Sequence, residues 1–484
     1  MAPPKKRPES APEEGYAAPQ ARWPAAAQWG SETTMNELET VMWRSERHPQ
    51  ASSTIASLLI LDRAPDWDRL VAAVDWASSL VLKARQRVVE PIVPTGPPAW
   101  VIDPHFHIGY HLRRHQLGAR ASMDDLLALV QDLLITPFDR TRPLWEATLI
   151  EGLEGGRAAY LLKLHHSLTD GLGAAQLLSA VQSRTRRHTD DKPVSELPAL
   201  AGPSPWEVTT AGLRGTISAA PLIAATAAAA AVGTLRDPSA AASAGLRFAA
   251  SLRRVLTPKV LERSPLLSGR DGRRWVLQTL ECRLDTLRSA GRAAGGSIND
   301  AYLAALLGGM RRYHEAHGVD LEELQMTVPV SLRRADDPMG GNRFAGAMIA
   351  GPMGIEDPVE RIAVLRGIML SEVNEPALDT FSLFTPIANR LPSAVGAAAM
   401  RLGSLNDLAA SNVPGIAESV YLAGAKVERA IPFGPLPGVA VMAVLGSYAG
   451  ICSVGFTLDD RAIESPALFA ACMREGFDEV LALA

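Results

Sequence analysis

The 484-residue chain predicts an α/β (α+β) fold of two lobes, each a mixed sheet with helices, joined by a long crossover. Three observations predict it. The length exceeds what one hydrophobic core supports. Strand-length apolar runs alternate with helix-periodic segments in both halves. Between the halves, over about 186–272, the composition shifts to charge, Pro, Ser and Ala.

In chain order, residues 1–28 are rich in Pro, Ala and charge and lack the apolar core of a signal peptide, so they read as a disordered tail. The N-terminal lobe is placed at 29–185. In it MNELETVMWRSE is a short amphipathic helix with Leu38, Val41 and Met42 on one side, and STIASLLILD is a strand. The whole of DWDRLVAAVDWASSLVLKARQRVVE reads as one helix, with Asp at its start and basic residues at its end. MDDLLALVQDLLI is a helix that stops before Pro137. WEATLIEGLEGGRAAYLLKLHH is a hairpin turning at Gly155-Gly156, followed by a helix over LGAAQLLSAVQSRT.

The crossover, 186–272, carries an alanine-rich stretch from Gly215 to Leu235. Spanning a bilayer takes ~20 strongly apolar residues, and alanine with an internal Pro221 does not supply them, so membrane contact is expected to be peripheral. The C-terminal lobe, 273–484, opens with a strand, a helix, a Gly-Gly turn and a second helix in RRWVLQTLECRLDTLRSAGRAAGGSINDAYLAALLGGMRRYHEAHG. Strands follow at LQMTVPVSL and near Ser419–Val427, Gly438–Gly446 and Gly450–Leu458, and a helix from Ser465 closes the chain.

A composition of 47% hydrophobic and 21% charged residues with net charge −4 gives no electrostatic reason to bind nucleic acid. The three cysteines form no CxxC pair and read as free thiols. The segment that asks for chemistry is LLKLHHSLTDGLGAAQLL. Successive strand residues face opposite ways, so His165 and His166 cannot both enter one site unless the strand has already ended; if it ends at Leu164 or His165, His166 sits at the mouth of the loop and is the better candidate. A neutral imidazole can take a proton from a hydroxyl if a partner fixes its tautomer. The bland alternative keeps both histidines as polar strand-end residues and Thr169 or Asp170 as a helix cap. HFHIGYHLRRH (His105, His107, His111, His115) lacks a partner Cys or Glu set at zinc spacing, so no metal is expected. HEAH at His314–His317 is one residue short of HExxH; no GxSxG elbow or Walker A loop occurs, and DGLGAAQ departs from GxGxxG at Gln176.

His165-His166-Ser-Leu-Thr-Asp170-Gly171 resembles the HHxxxDG signature of the bacterial wax ester synthase/diacylglycerol acyltransferase family. Further segments resemble that family in the same order: Pro143-Leu144-Trp145, Asn299-Asp300, Pro329–Arg333 followed by Gly341-Asn342-Arg343, SNVPG at Ser411–Gly415, and PFGPLPG at Pro432–Gly438. The likeness runs from about Trp29 to the C-terminus, and the order of motifs makes it specific.

The resemblance implies two chloramphenicol-acetyltransferase-like lobes with the active site in a tunnel at their junction. It implies His166 as general base, His165 as support, Asp170 as a structural carboxylate and Gly171 as a tight turn into the helix. Asn299 would line the pocket or hold the lobes together, beside Asp300. Trp145 would pack the lobe or line the acyl tunnel. Arg333 and Asn342 would brace the loop or bind CoA phosphates. The implied activity is acyl-CoA-dependent O-acylation of diacylglycerol, with long-chain alcohols as further acceptors. Acyl-CoA would be co-substrate and no cofactor would be needed. The setting implied is cytoplasmic, at the inner membrane face or a lipid-body surface. A condensation-type amide-forming enzyme and an idle lipid-binding homologue are the competing readings. The chain departs from the family in lacking the Leu-Asp pair near its start and in carrying Ala449 where many members have Asn, which leaves the acceptor open.

Overall fold

The computed structural model describes residues 23–24, 26–46, 51–187, 192–193, 202–215, 217–218, 263–333, 339–373 and 406–484. The alanine-rich stretch lies, from residue 219 on, outside them. The N-terminal half runs α1 (Glu37–Ser45), β1 (Thr54–Leu61), α2 (Trp67–Leu80), β2 (Gln86–Val89), β3 (Ala99–Ile102), β4 (Leu112–Ala121), α3 (Met123–Ile135), β5 (Trp145–Leu153), β6 (Ala158–His165) and α4 (Gly171–Val181). A helix over 205–215, α5, precedes β7 (Trp275–Arg283), α6 (Leu284–Ala293), α7 (Ile298–Ala316), β8 (Glu323–Ser331), β9 (Phe344–Pro352) and α8 (Pro358–Val373). The chain ends with β10 (Leu408–Ile416), β11 (Tyr421–Leu422), β12 (Ala425–Phe433), β13 (Val441–Tyr448), β14 (Ile451–Asp459) and α9 (Pro466–Leu481).

Two six-stranded sheets form, ordered β11-β12-β1-β6-β5-β4 and β7-β14-β13-β10-β8-β9, beside the β2-β3 ribbon. Most neighbours are antiparallel; β4-β5, β10-β13 and β10-β8 are parallel. Two mixed sheets with helices are the fold class the sequence predicts. The lobe boundary needs correction. β11 and β12 come from the C-terminal half, yet β12 pairs with β1 in the first sheet. The apolar alternation of AKVERAIPF fits a strand in either sheet, and the pairing is non-local. The strand expected near Ser419–Val427 is instead the turn of a hairpin, with Ala423 and Gly424 both at positive φ.

Other boundaries shift too. The long helix from Asp66 stops at Leu80 because Val88 and Val89, β-branched, pair with Trp100 and Ala99 on β3. The tail ends earlier than residue 28: Trp23 packs edge-on against Trp76 at 6.0 Å, and Ala26 and Trp29 are buried. Two tryptophans provide burial that the surrounding Pro and Ala do not advertise. In the expected crossover, Val208 of α5 packs with Val89, Ala99 and Val101, and Leu267 enters the C-terminal core.

The second lobe is built around α7, whose residues Ala301–Met310 are buried on every side between the sheet and α9. The two helices touch at glycines, since a Cβ on Gly476 would lie 2.3 Å from the backbone nitrogen of Gly309.

Candidate active site

The site grows from the end of β6. The backbone N–H of His165 donates to the Leu144 carbonyl at 3.0 Å, and the chain then leaves the sheet in a single 3-10 turn, His166–Leu168. This sends the two histidines in opposite directions, His165 as the last residue of the strand and His166 as the first of the turn.

His165 points into the N-terminal lobe and is fully buried. The Ser167 backbone N–H donates to its Nδ1 at 3.0 Å, so the ring proton sits on Nε2 and is donated to Glu46 Oε2 at 2.7 Å. Glu46 also accepts the Ser53 N–H at 3.1 Å, and the Ser53 carbonyl accepts the His166 N–H at 2.7 Å. Burial opposes ionisation of Glu46, but His165, its hydrogen bonds and Arg140 outweigh it and hold the carboxyl below its ordinary value. His165 has both nitrogens occupied and is a support for the backbone of its neighbour.

His166 faces the C-terminal lobe, 5.5 Å from the ring of Phe344 on β9. Its Nδ1 lies 2.9 Å from Asn342 Oδ1. The Asn342 amide nitrogen donates to the His166 carbonyl at 2.7 Å and to Glu39 Oε1 at 3.3 Å. The reversed amide would set an oxygen against both acceptors, so Oδ1 must face the ring and His166 carries its proton on Nδ1. Nε2 then has a bare lone pair. Burial pushes the His166 pKa below its ordinary 6.5, with the Asp170 carboxylate opposing, so the ring is neutral at cellular pH.

Asp170 spends its carboxylate away from the imidazole. Its Oδ1 caps α4 by accepting the Gly173 N–H at 2.8 Å, and its Oδ2 pairs with Arg333 at 2.8 Å. The same arginine nitrogen donates to the Gly340 and Gly341 carbonyls, both at 2.8 Å. Arg333, Asp170 and Asn342 thus join the lobes around the loop. Gly171 needs correction: its φ is not left-handed. A Cβ there would meet Val413 of SNVPG at 2.6 Å, so glycine permits close approach of α4 to β10.

Behind the loop a cavity of about 320 Å³ lies between α2, α4 and the face of β5-β6. Its walls include Trp145, Leu162, Leu164, Leu168, Leu177 and Trp76, with Arg69, Arg184, Arg187 and Lys192 also contributing. Leu164 and Leu168 flank His166 by two residues on either side, which places this apolar space beside the loop. Trp145 is fixed by its indole N–H on the Ala84 carbonyl at 2.7 Å and by stacking on His111.

The Asn299-Asp300 pair sits elsewhere in the network. Asp300 closes a capping box with Ser297 at the start of α7 and accepts from Arg366 at 3.3 Å; Asn299 lies in the same turn. The side chain that bonds His166 is that of Asn342. The histidines of HFHIGYHLRRH are divided: His111 is buried, its Nδ1 on the Trp145 carbonyl at 2.7 Å, whereas His107 stands at the N-terminal end of the short turn Ile108–His111 without a side-chain capping bond. Among the described residues no group of three His, Cys, Asp or Glu side chains gathers at metal-binding distance. Glu39 and Glu46 were not singled out from the sequence. Their signal is a spacing of seven on α1 and its cap, which puts two carboxylates on one helix face.

A family model for the wax ester synthase/diacylglycerol acyltransferase catalytic domain matches residues 31–302, and the C-terminal domain of the same family matches 340–480. The chain belongs to this acyltransferase family. It is 40% identical over 464 residues to a Mycobacterium tuberculosis protein provisionally designated a diacylglycerol O-acyltransferase, covering 93% of this chain and 92% of that one. A second M. tuberculosis protein of the same designation is 29% identical over 424 residues, covering 81% and 85%. In structure the chain resembles the wax ester synthase/diacylglycerol acyltransferase of Marinobacter aquaeolei, with TM-score 0.63, 20% identity and coverage of 93% and 98%. It also resembles the first condensation domain of the calcium-dependent antibiotic synthetase, with TM-score 0.58, 14% identity and coverage of 93% and 95%. The two-lobed acyltransferase fold expected from the motifs is therefore the fold found.

Proposed function

We propose that this acyltransferase uses acyl-CoA to esterify diacylglycerol, with long-chain alcohols as further acceptors, and that His166 is its general base. The observation that carries the reading is the tautomer: Asn342 occupies Nδ1 and leaves Nε2 as the proton acceptor. Nε2 takes the proton of the acceptor hydroxyl as its oxygen attacks the thioester carbonyl. The tetrahedral intermediate collapses, the C–S bond breaks, and the proton passes from His166 to the departing thiolate, giving ester and free CoA. Acyl-CoA is the co-substrate, and this sequence of steps calls for no cofactor. The apolar cavity beside Leu164 and Leu168 suits a long acyl or alkyl chain.

The lipid acceptor places the reaction at a lipid surface, on the cytoplasmic face of the membrane or on a storage droplet. No helix among the described residues is long and apolar enough to cross a membrane. Supporting peripheral contact, Ile92, Val93, Trp206, Leu213 and Ile217 are large apolar side chains left exposed; Trp206 and Leu213 share one stripe of α5 by their spacing.

The test is release of free CoA from palmitoyl-CoA by purified protein offered dioleoylglycerol or hexadecanol in parallel, with the ester product identified. Release that requires dioleoylglycerol and yields triacylglycerol supports the reading; release with hexadecanol alone makes the enzyme a wax ester synthase. No acceptor-dependent release contradicts both.

A further inference from the structure

The base is held by a partner that is itself held. Asn342 is 3% exposed and could, as an isolated amide, present either end to the His166 ring. Two acceptors remove that choice, the His166 carbonyl, which takes the Asn342 side-chain nitrogen at 2.7 Å, and a carboxylate on α1. Glu39 Oε1 accepts both the backbone N–H of Asn342 at 3.1 Å and its side-chain nitrogen at 3.3 Å. Glu39 is in turn fixed from the other side by the Asn36 N–H on Oε2 at 3.0 Å. Asn36 also closes the circuit by donating its side-chain nitrogen to the Asn342 carbonyl at 3.1 Å. Thus α1, from the start of the chain, and the Gly341-Asn342 segment of the C-terminal lobe meet over the histidine loop.

We infer that Glu39 is a positioning residue which, through Asn342, locks His166 in the tautomer whose Nε2 is free to accept a proton. The inference rests on His166 being the base. What the position demands is an acceptor at Oε1. Burial pushes the Glu39 pKa upward, and the cation it faces, Lys83, is itself drawn down to about 8 by burial; Glu32 adds a further negative charge. Glutamine keeps an acceptor there, whereas alanine leaves the His166 carbonyl as the one acceptor of the pair still holding the Asn342 amide, which then turns its nitrogen toward Nδ1 in a larger share of molecules. A turned amide would pull the ring proton onto Nε2, where it blocks the base.

The test uses the full chain labelled with 15N-histidine, the His166 ring signals being assigned by their loss in His166→Ala. Wild type and Glu39→Gln should show Nδ1 protonated and Nε2 bare. Glu39→Ala should shift the ring toward the Nε2-protonated form and lower kcat by about tenfold to a hundredfold, the range for removing the partner that orients a functional histidine. KM for acyl-CoA should stay within about twofold, because a mispositioned base is felt in the transition state. Asn342→Ala should match Glu39→Ala.

A Glu39→Ala enzyme with the wild-type tautomer and kcat overturns the inference. So does a Glu39→Gln enzyme as slow as Glu39→Ala with an unshifted tautomer, which would make Glu39 a helix cap only. If His166→Ala itself retains acceptor-dependent CoA release, the base assignment fails first, and the tautomer still reports whether Glu39 sets the ring.

Discussion

One histidine in the C-terminal core and one at the seam between the lobes each meet a neighbouring side chain at hydrogen-bond distance, and they differ in what they leave free. In the C-terminal core, His314 Nε2 lies 2.7 Å from the Ser264 hydroxyl, and Asp407 accepts the Ser264 N–H at 3.1 Å. The trio has the composition of a hydrolase triad. Yet His314 donates Nδ1–H to the Met310 carbonyl on its own helix at 2.8 Å, and Asp407 also pairs with Arg270 at 2.6 Å. Ser264, His314 and Asp407 are all buried, and every ring nitrogen is spent. At the seam between the lobes, His166 spends one nitrogen on Asn342 and keeps the other. On the proposed mechanism, what marks the site of chemistry is an unspent lone pair on the ring; the nearness of a serine does not.

Each prediction probes that contrast. The largest effect is expected at the seam: His166→Ala should lower acceptor-dependent CoA release by about 10²- to 10⁴-fold, with the melting temperature near that of wild type. Steady-state assays beside thermal melts check it. Next, Arg333→Met strips a partly buried carboxylate, Asp170, of its partner across the seam and should destabilise the protein by about 3 kcal/mol; urea unfolding measures this, and activity should fall with it.

In the C-terminal core the expectation reverses. Ser264→Ala leaves His314 Nε2 buried without a partner and should cost about 1–3 kcal/mol, while kcat per folded molecule stays at the wild-type value. A collapse of kcat there would erase the distinction between the two pairs. The smallest effect concerns a departure from the family pattern. Ala449 and Gly450 form the two-residue turn between β13 and β14, both at positive φ and exposed. This is a hairpin position suited to Asn-Gly. Ala449→Asn should raise stability by about 0.5–1 kcal/mol and leave acceptor preference untouched. The departure therefore concerns a turn, where the sequence had pointed to the acceptor.

Much of the architecture was legible because local pattern and tertiary fate agree. The Trp145–His165 hairpin, the helix that ends at Ile135, and the strand-helix-helix start of the C-terminal lobe follow their periodicity and turn residues. The separation of His165 and His166 was legible as a strand end, with His166 at the mouth of the loop. What was illegible is non-local. β12 finds β1 more than 360 residues away in the chain, as in the Leu61–Val427 pairing and the Lys426 N–H on Asp62. β9 and α8 gave no distinctive local signal among Gly, Ala and mixed polar residues. Glu46 and Asn342 lie 119 and 176 positions from the histidines they bond, and Glu39 lies 303 from Asn342. Spacing rules cannot join such positions, and the motifs named Asn342 without giving its task.

The central claim is that His166 works as a neutral imidazole with Nε2 free, and the pH dependence of kcat/KM tests it most directly. Burial lowers the folded-state pKa of His166, so the unprotonated ring persists as pH falls to 6.5 and is lost only below it. The account predicts an acid limb with its midpoint under 6.5 in the wild type and no such limb in the residual activity of His166→Ala. A limb centred above 6.5, or one that survives in His166→Ala, would contradict it.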